Sequence, residues 1–402
     1  MTAIEKQKVN LGIFSLLFAG SIVGLNWLNF ASIFPFIAND LKLNVAALGT
    51  ITAVFVIGSG CFQLPGALAA SRYSQKTMMI LGTIGASIST LLVSFASSVV
   101  ELEVLRFSCA VTTAFAYAPG YTLITKYFDE GKEGSATGLF AAAAIFGNIV
   151  AFAADSVLAV YIGWRATIAL NGIVGVIAGL SLISLPSIQA KNGTDRGILI
   201  RSIFPVIRRT ILDRRMLVLC IVLTSLEIGI VIAGNFMVFY LEKQLAVRPE
   251  IAGLVASLLP IIGVVASLSF GRLYDRVGNA KLLIVVSGII AAGGLAFSAL
   301  GTLYSVALTS VLVGFGNNAG YIVSVALAGK IAVNEKRFEV VGIAWILSVS
   351  LLASFFAPIL FSSLATSFGY PVAWVGCALV MILLLLPSVF VSTSRLEYDE
   401  QK

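Results

Sequence analysis

The main pattern along the chain is a succession of long apolar stretches separated by short polar breaks. A helix rises about 1.5 Å per residue, so about 20 apolar residues are needed to cross a bilayer core of about 30 Å. Twelve stretches are long enough, and we predict an all-α polytopic membrane protein with 12 transmembrane helices. The predicted spans are 11–38, 45–69, 77–97, 102–127, 134–157, 164–185, 216–241, 251–271, 281–302, 304–330, 338–364 and 370–392.

The second half of the sequence repeats the first. A shift of 204 residues places the polar breaks and several single residues of one half on those of the other. The coinciding pairs are Leu41 and Leu245, Gly49 and Gly253, Arg72 and Arg276, Tyr117 and Tyr321, Lys126 and Lys330, and, with a small slip, Gly163 and Gly369. We therefore predict two pseudo-symmetric six-helix bundles, at 1–187 and 216–402, joined by a linker at 188–215.

The predicted linker contains seven basic residues between Lys191 and Arg215, interleaved with large apolar residues. Amphipathic basic segments of this kind bind the surface of anionic membranes. We expect one or two amphipathic helices that lie on lipid, and a regulatory docking site is the alternative.

Composition supports the membrane assignment. The chain is 59% hydrophobic and 11% charged, whereas soluble proteins are about 25% charged. The segments before the first span and after each even-numbered span lie on one side of the membrane, and that side holds 21 of the 26 Lys and Arg residues. The positive-inside rule then predicts cytoplasmic N- and C-termini in the cytoplasmic membrane. The net charge of +7 is explained by this asymmetry and does not indicate nucleic acid.

Residue content excludes several classes of chemistry. The chain has no histidine, and its four cysteines lie in apolar segments without metal-type spacing. We find no nucleotide-binding glycine motif and no nucleophile paired with a base. We expect no enzyme activity, no cofactor and no metal.

A charged motif lies between the eighth and ninth predicted spans. It reads Gly271-Arg-Leu-Tyr-Asp275-Arg276-Val-Gly278-Asn-Ala-Lys281. This resembles the cytoplasmic G-x-x-x-D-R-x-G-x-x-K/R motif of the major facilitator superfamily, and the resemblance extends over essentially the whole chain. It implies that the acidic and basic residues close an inner gate and that Gly271 allows two helices to approach closely.

The N-terminal copy of this motif is degenerate. Ser71 stands where the aspartate is expected, and Ala67 and Ser74 replace the glycines, so only Arg72 and Lys76 remain. We expect the gate of the first half to be held by different contacts and to be weaker.

Ionisable residues within the spans are candidate functional groups because they are unfavourable at membrane depth. Glu227 is the clearest, since it lies about 16 Å along the seventh span, a span that lines the central cavity in the resembled family. We expect this carboxylate to couple transport to protons or another cation. Direct contact with the substrate, a structural hydrogen bond and an off-centre helix register are the alternatives. Asp155 is a second coupling candidate, with an exposed or gate position near the outer end of its span. For Arg106, both a packing or gating role and anion binding stay open.

Uncharged polar residues concentrate on the first, fourth and tenth spans, which also line the cavity in that family. The candidate substrate-binding residues, with Arg106, are Asn26, Asn29, Tyr117, Tyr121, Asn317, Asn318 and Tyr321, together with Asn148 and Trp345. Such groups suit a small polar organic solute or an organic anion. The alternative is hydrogen bonding between helices, and for Trp345 packing is the favoured interpretation.

The resemblance implies a monomeric secondary transporter with a small-molecule substrate, protons or another coupling cation, and surrounding lipid as its partners. An uncoupled facilitator and a drug or metabolite exporter are alternatives of the same class, and a receptor or scaffold without transport activity is one of another class. Gly147 is followed by Asn148, not by the proline of many drug–proton antiporters. The segment 314–320 is similar to glycine-rich segments of nitrate and nitrite carriers, but we find no matching pair of buried arginines and reject that specialisation.

Overall fold

The computed structural model describes residues 3–128, 133–185, 213–332 and 339–390. Within these ranges, the description leaves out the side chains of residues 3–9, 71, 72, 133, 134, 275, 329–332, 339–344, 389 and 390. The predicted amphipathic helices of the linker lie outside the described residues, apart from 213–215 at its end.

The described residues form α-helices and short 3-10 turns. The first half contains α1 (Ala3–Leu41), α2 (Val45–Arg72), α3 (Gln75–Val93), α4 (Val99–Thr125), α5 (Glu133–Ile162) and α6 (Trp164–Ser181). The second half contains α7 (Arg214–Lys243), α8 (Pro249–Val277), α9 (Ala280–Phe297), α10 (Leu303–Ala332), α11 (Glu339–Ser354), α12 (Phe356–Phe368) and α13 (Tyr370–Leu385).

The eleventh span is broken into α11 and α12 at Phe355. The break follows from Pro358, which has no N–H to donate to the carbonyl of Ser354 one turn earlier. Phe355 instead donates its N–H to the Leu352 carbonyl at 3.2 Å, which tightens the chain locally. The two helices together make a single span, Trp345–Phe368.

Eleven segments of the described chain have the length and hydropathy of a membrane span. The twelfth is α4, which has 27 residues but is less apolar because it carries Glu101, Glu103 and Arg106. Large apolar side chains are exposed on the outer helix faces, as lipid contact requires; examples are Leu81, Ile88, Phe146, Ile173 and Leu268. The prediction of 12 transmembrane helices is confirmed.

The internal repeat is visible in the helix boundaries and in the turns. The helices α2 and α8 begin 204 residues apart, at Val45 and Pro249. Lys42 and Ala246, also 204 apart, both adopt positive φ, at 55° and 50°. Gly163 and Gly369 precede α6 and α13 with φ of 80° and 88°, a left-handed region that favours glycine. The two halves therefore form pseudo-symmetric six-helix bundles.

Among the described residues, the halves pack together from one end to about the middle of the spans. We call that end the closed end; it holds the α1–α2 and α7–α8 turns. There, one hydrophobic core contains residues of both halves, with Phe34 packed on Phe239 at 5.4 Å between ring centroids. Lys243 donates a hydrogen bond to Asn39, and these two residues occupy equivalent positions in the repeat.

The opposite end is called the basic end because it holds most of the Lys and Arg residues. Each half has a separate hydrophobic core there. The core of the first half includes Leu16, Met79 and Phe140, whereas that of the second includes Met216, Ile284 and Leu327. The space between the bundles is therefore closed at one end and open at the basic end.

Within the first half, α1 and α5 pack with their backbones almost in contact. A Cβ atom on Gly24 would lie 1.8 Å from the Ala144 carbonyl oxygen, and one on Gly147 would lie 1.8 Å from the Ser21 oxygen. Both helices therefore need glycine at the crossing point. Gly138, also on α5, has no described atom within 4 Å of its Cβ position.

We predict that Gly147→Ala destabilises the protein and Gly138→Ala does not. The first variant forces α1 and α5 apart, and overpacking of this kind typically costs about 1–3 kcal/mol. The second adds a methyl group in open space and gains the better helix propensity of alanine, about 0.5–1 kcal/mol. Thermal unfolding in detergent should show a lower Tm for Gly147→Ala alone. Equal Tm values for the two variants would contradict the backbone contact.

Candidate functional site

Three tyrosines and one glutamate meet between the two halves. On α4, the rings of Tyr117 and Tyr121 lie 5.2 Å apart in an edge-to-face arrangement, with hydroxyl oxygens at 3.4 Å. The charge of Glu227 on α7 acts on the phenols of Tyr117 and of Tyr321 on α10. Tyr121 also interacts with Tyr321. We call these four residues the tyrosine–glutamate cluster.

The close packing of α7 on α10 brings Glu227 and Tyr321 to the same level. A Cβ on Gly320 would lie 2.9 Å from the Leu226 side chain, and one on Gly229 would lie 2.8 Å from Nδ2 of Asn317. The contact residues Leu226 and Gly229 flank Glu227 on one helix, and Asn317 and Gly320 precede Tyr321 on the other. All four members of the cluster are half-buried, although they lie deep in the bundle. They therefore line the cavity that opens at the basic end.

The cluster is symmetric in its tyrosines and asymmetric in its charge. Tyr117 and Tyr321 are equivalent in the 204-residue repeat, whereas the equivalent of Glu227 is Val23. Within the described residues, Glu227 has no ion pair and accepts no hydrogen bond. Among the described residues, the cavity thus contains a single carboxylate, beside two tyrosines related by the pseudo-symmetry.

A second group of polar residues lies inside the first half. The side-chain oxygen of Asn26 accepts hydrogen bonds from Thr90 at 2.8 Å and from Asn29 at 3.4 Å. Nη1 of Arg106 donates to the backbone oxygen of Asn26 at 3.0 Å. We call Asn26, Asn29, Thr90 and Arg106 the asparagine–arginine cluster.

The charge of Arg106 is enclosed. Its guanidinium lies 4.1 Å from the ring centre of Phe55 and 5.1 Å from that of Phe30, and the residue is 4% exposed. Stacking on two aromatic faces stabilises a buried cation. Nε of Arg106, Nδ2 of Asn26 and Oδ1 of Asn29 have no hydrogen-bond partner among the described residues. Arg106 is therefore held inside one half and is not presented to the cavity.

Asp155 does not occupy the exposed position that the sequence suggested. Because α5 continues to Ile162 and not to 157, Asp155 lies about two turns inside the helix and is 1% exposed. Oδ2 of Asp155 accepts a hydrogen bond from Asn171 of α6 at 2.8 Å, and its Oδ1 has no described partner. One turn of α5 away, the Phe152 oxygen lies 2.3 Å from the Cβ position of Gly253 on α8. Asp155 is therefore beside the contact between the halves and away from the tyrosine–glutamate cluster.

The remaining candidate binding residues do not form one group, although Asn317 and Asn318 are adjacent on α10. Asn317 is buried, and neither atom of its amide has a described partner. Asn318 donates to the Gly314 carbonyl at 2.9 Å and packs at the α8–α10 contact. Asn148 has a buried, unpartnered Oδ1 next to the α1–α5 crossing. Trp345 packs on the basic-end core of the second half.

The charged motif surrounds the turn between α8 and α9. Gly278 ends α8 in the left-handed region at φ 68°, and its N–H donates to the Tyr274 carbonyl at 2.9 Å. The family motif predicts that two helices approach closely at Gly271, and this prediction is wrong for this conformation. No described atom lies within 4 Å of the Cβ position of Gly271, because the halves are apart at the basic end. Arg276 is exposed and Lys281 half-buried. The side chains of Asp275 and Arg72 lie outside the described residues.

The equivalent turn of the first half has a different construction. Ser74, in the place of Gly278, caps α3 and has φ −66°. Lys76 donates to the carbonyls of Ile183 and Leu185 at 2.8 and 2.7 Å. These bonds connect α3 to the end of α6 within one half, so the lysine that remains from the motif has a local role in this conformation.

Comparison with known proteins identifies the family. The sequence model of the Major Facilitator Superfamily matches residues 16–343 and 217–401. The chain belongs to the major facilitator superfamily. It is accordingly a multi-pass membrane transporter and not an enzyme.

Relatives within the superfamily differ in the substrates that their names give. The MFS-type transporter YybF of Bacillus subtilis is 24% identical and covers 88% of this chain, with 83% of its own length aligned. The nitrite extrusion protein of Bacillus subtilis is 27% identical over 41% of each chain. The probable sulfoacetate transporter SauU of Cupriavidus necator is 24% identical over 43% of this chain and 40% of its own.

Solved structures agree in fold. A bacterial homologue of the human lysosomal transporter Spinster, in an inward-facing and unoccupied conformation, superposes with a TM-score of 0.77. The alignment covers 98% of both chains at 16% identity, so the likeness concerns the fold alone.

Sequence reasoning missed several residues of this MFS protein that complete the polar groups. Thr90 and Phe55 contribute to the asparagine–arginine cluster from α3 and α2. Both lie in apolar stretches with no local signal of their partners, since Thr90 is 64 residues from Asn26. Gly229 could have been noticed, because a glycine two residues after an intramembrane glutamate marks a possible helix contact.

We predict that Thr90→Val lowers stability, whereas Thr83→Val on the same helix is neutral or stabilising. The first variant removes the hydrogen bond to Asn26, which is expected to contribute about 0.6–1 kcal/mol in a membrane protein. Thr83 is buried with an unpartnered hydroxyl, so valine replaces an unsatisfied polar group with an apolar one. Unfolding of the matched variants in detergent measures the difference. A lower Tm for Thr83→Val than for Thr90→Val would refute the assigned bond.

Proposed function

We propose that this protein is a proton-coupled secondary transporter of a small polar organic solute, that it works by alternating access, and that Glu227 carries the proton. The observation that supports the proposal is a carboxylate between two pseudo-symmetric bundles that is unpaired and the only one in the cavity among the described residues. Transporters built from repeats place substrate and coupling ion near the midplane, at the interface of the repeats. A carboxylic acid in a poorly hydrated site holds a proton and releases it when water returns.

We further propose that residues 1–187 and 216–402 move as two units connected by the linker at 188–215. The closed end contains the contacts that must separate, including the hydrogen bond from Lys243 to Asn39. The basic end would close instead, with the motif residues Asp275, Arg276 and Arg72 forming the gate that the family motif implies. Asp155 is a second candidate for proton coupling, because a buried carboxylate beside the separating contact would become hydrated on opening.

The polar organic solute is favoured over an organic anion. Arg106 is the buried arginine among the candidate site residues, and its guanidinium is stacked and bonded within the first half. No cationic side chain of the described residues acts on the tyrosine–glutamate cluster. The names of the nitrite and sulfoacetate relatives point to anions, but each of these relatives aligns with less than half of this chain.

The central experiment compares wild type with Glu227→Gln in proteoliposomes that contain a mixture of isotope-labelled amines, sugars, amino acids and organic acids. We predict that wild type moves one class against its gradient when a pH gradient is imposed. Glu227→Gln should keep exchange of the same solute but lose its accumulation, because the amide cannot bind and release a proton. Mass spectrometry of the liposome lumen measures both the exchange and the accumulation of the solute.

Asp155→Asn tests the second candidate, a buried carboxylate outside the cavity. Normal accumulation by Glu227→Gln and loss in Asp155→Asn would transfer the coupling role to Asp155. If both variants accumulate solute normally, the carrier uses another ion or is a facilitator. If wild type moves no solute in any condition, the alternative of a non-transporting receptor gains support.

We also propose that the basic end faces the cytoplasm in the cytoplasmic membrane. In a Cys61→Ser background, a cysteine at Asn192 in the linker should be protected from an impermeant maleimide in intact cells, because the excess of basic residues keeps that side inside. A cysteine at Gln244, at the closed end, should react with the maleimide in intact cells. Labelling of inverted vesicles should give the reverse pattern, and the same pattern in both preparations would contradict the orientation.

A further inference from the structure

We propose that the tyrosine–glutamate cluster binds the ammonium group of a small organic cation, and that proton and cation compete for the carboxylate of Glu227. The carrier would then exchange one cation for one proton. This inference rests on the proposed function, in which Glu227 carries the proton, and it adds the chemical class of the solute. It follows from the charges, the rings and the placement of the cluster in the cavity.

The charge in the cavity is negative and uncompensated. Three cationic side chains towards the closed end already have partners: Arg106 binds Asn26, Arg165 binds Asp40, and Lys243 binds Asn39. None of them acts on Glu227. An ionised carboxylate in a poorly solvated site is strongly unfavourable unless a cation neutralises it. A proton or a cationic solute would supply that missing charge, whereas an anionic solute would increase the repulsion.

The rings around Glu227 suit an ammonium group. Phenol rings attract cations through their negative faces, and several such rings around one position are the usual way in which proteins bind quaternary ammonium groups. Tyr117 and Tyr121 are fixed against each other at 5.2 Å, and Tyr121 is also packed on Phe140 at 4.9 Å. Tyr321 approaches from the opposite half of the molecule. The three rings are therefore contributed by both bundles.

The titratable groups that face Glu227 are Tyr117 of α4 and Tyr321 of α10. In the described parts of α1, α8, α11, α12 and α13, no charged or titratable group acts on it. The site can therefore be neutralised in two ways, by a proton or by a monovalent cation, and not by both together. An ionised carboxylate without a bound proton or cation is unfavourable when the cavity closes. The carrier therefore changes between its two conformations with either a proton or a cation bound to Glu227. This gives electroneutral exchange of one cation for one proton.

The experiment measures proton release from the full-length protein in weakly buffered detergent solution between pH 5 and 9. The probes are choline, tetraethylammonium and benzylammonium, with the neutral analogues 3,3-dimethylbutan-1-ol and benzyl alcohol. Wild type should release up to one proton per bound cation and none with the neutral analogues. Glu227→Gln should release none, whereas Glu103→Gln, at the first turn of α4 away from the cavity, should behave as wild type.

The ring variants test the aromatic part of the site. Tyr321→Leu should weaken cation binding by about 2- to 30-fold, the range of a cation–π contact, and Tyr321→Phe should retain most of the binding because the ring remains. Equal binding to Tyr321→Leu and wild type would refute the role of the ring. If Glu227→Gln fails to fold, Glu227→Asp replaces it in the experiment. This variant should still release a proton on cation binding, but at a different pH.

The results separate this inference from the function on which it depends. Binding without proton release, or no binding by any cationic probe, overturns the cation site. If proteoliposomes nevertheless show Glu227-dependent, proton-driven uptake of a neutral or anionic solute, the coupling role of Glu227 stands and the cation assignment fails. If uptake is also independent of Glu227, both fail.

Discussion

Close contact between helix backbones at glycine is the constraint on which the rest of the structure depends. Apolar side chains gain little by leaving lipid for another apolar surface, so helices in membranes associate through close packing and interhelical hydrogen bonds. The chain meets this requirement at Gly24 and Gly147 between α1 and α5, and at Gly314 and Gly316, where α10 approaches α8 and α9. These crossings position α4, α7 and α10, which contribute the cluster in the cavity.

The duplicated scaffold carries unequal chemistry in its two halves. Tyr117 and Tyr321 keep the symmetry of the repeat, and so do the left-handed turns at Gly163 and Gly369. Glu227 breaks it, because Val23 stands at the equivalent place in α1. A carrier needs similar halves so that the two ends can alternate, but one proton-binding carboxylate is sufficient for coupling. The repeat therefore preserves these tyrosines and turns but has no second copy of the carboxylate.

Much of the fold was predictable from the sequence because its signals are local or periodic. Apolar length predicts the spans, and the 204-residue repeat predicts their grouping. Pro358 shows the limit: helices of the described chain continue through Pro35, Pro65, Pro119 and Pro260, whereas the eleventh span is broken just before Pro358. The position of Glu227 in the cavity followed from span order, whereas the enclosure of Arg106 by Phe30 and Phe55 required knowledge of three helices.

Two of the ionisable residues within the described spans, Arg106 and Glu227, illustrate how partners determine what a buried charge can do. Arg106 is surrounded by aromatic faces and bonded to a backbone oxygen, so its charge is stabilised without any ligand. Glu227 has no such partners, and it lies where both halves meet. A residue that is stabilised within one half is indifferent to the movement of the other. A residue whose neighbours come from both halves changes its environment whenever they move, and the proposal that Glu227, rather than Arg106, couples ion binding to conformation rests on this difference.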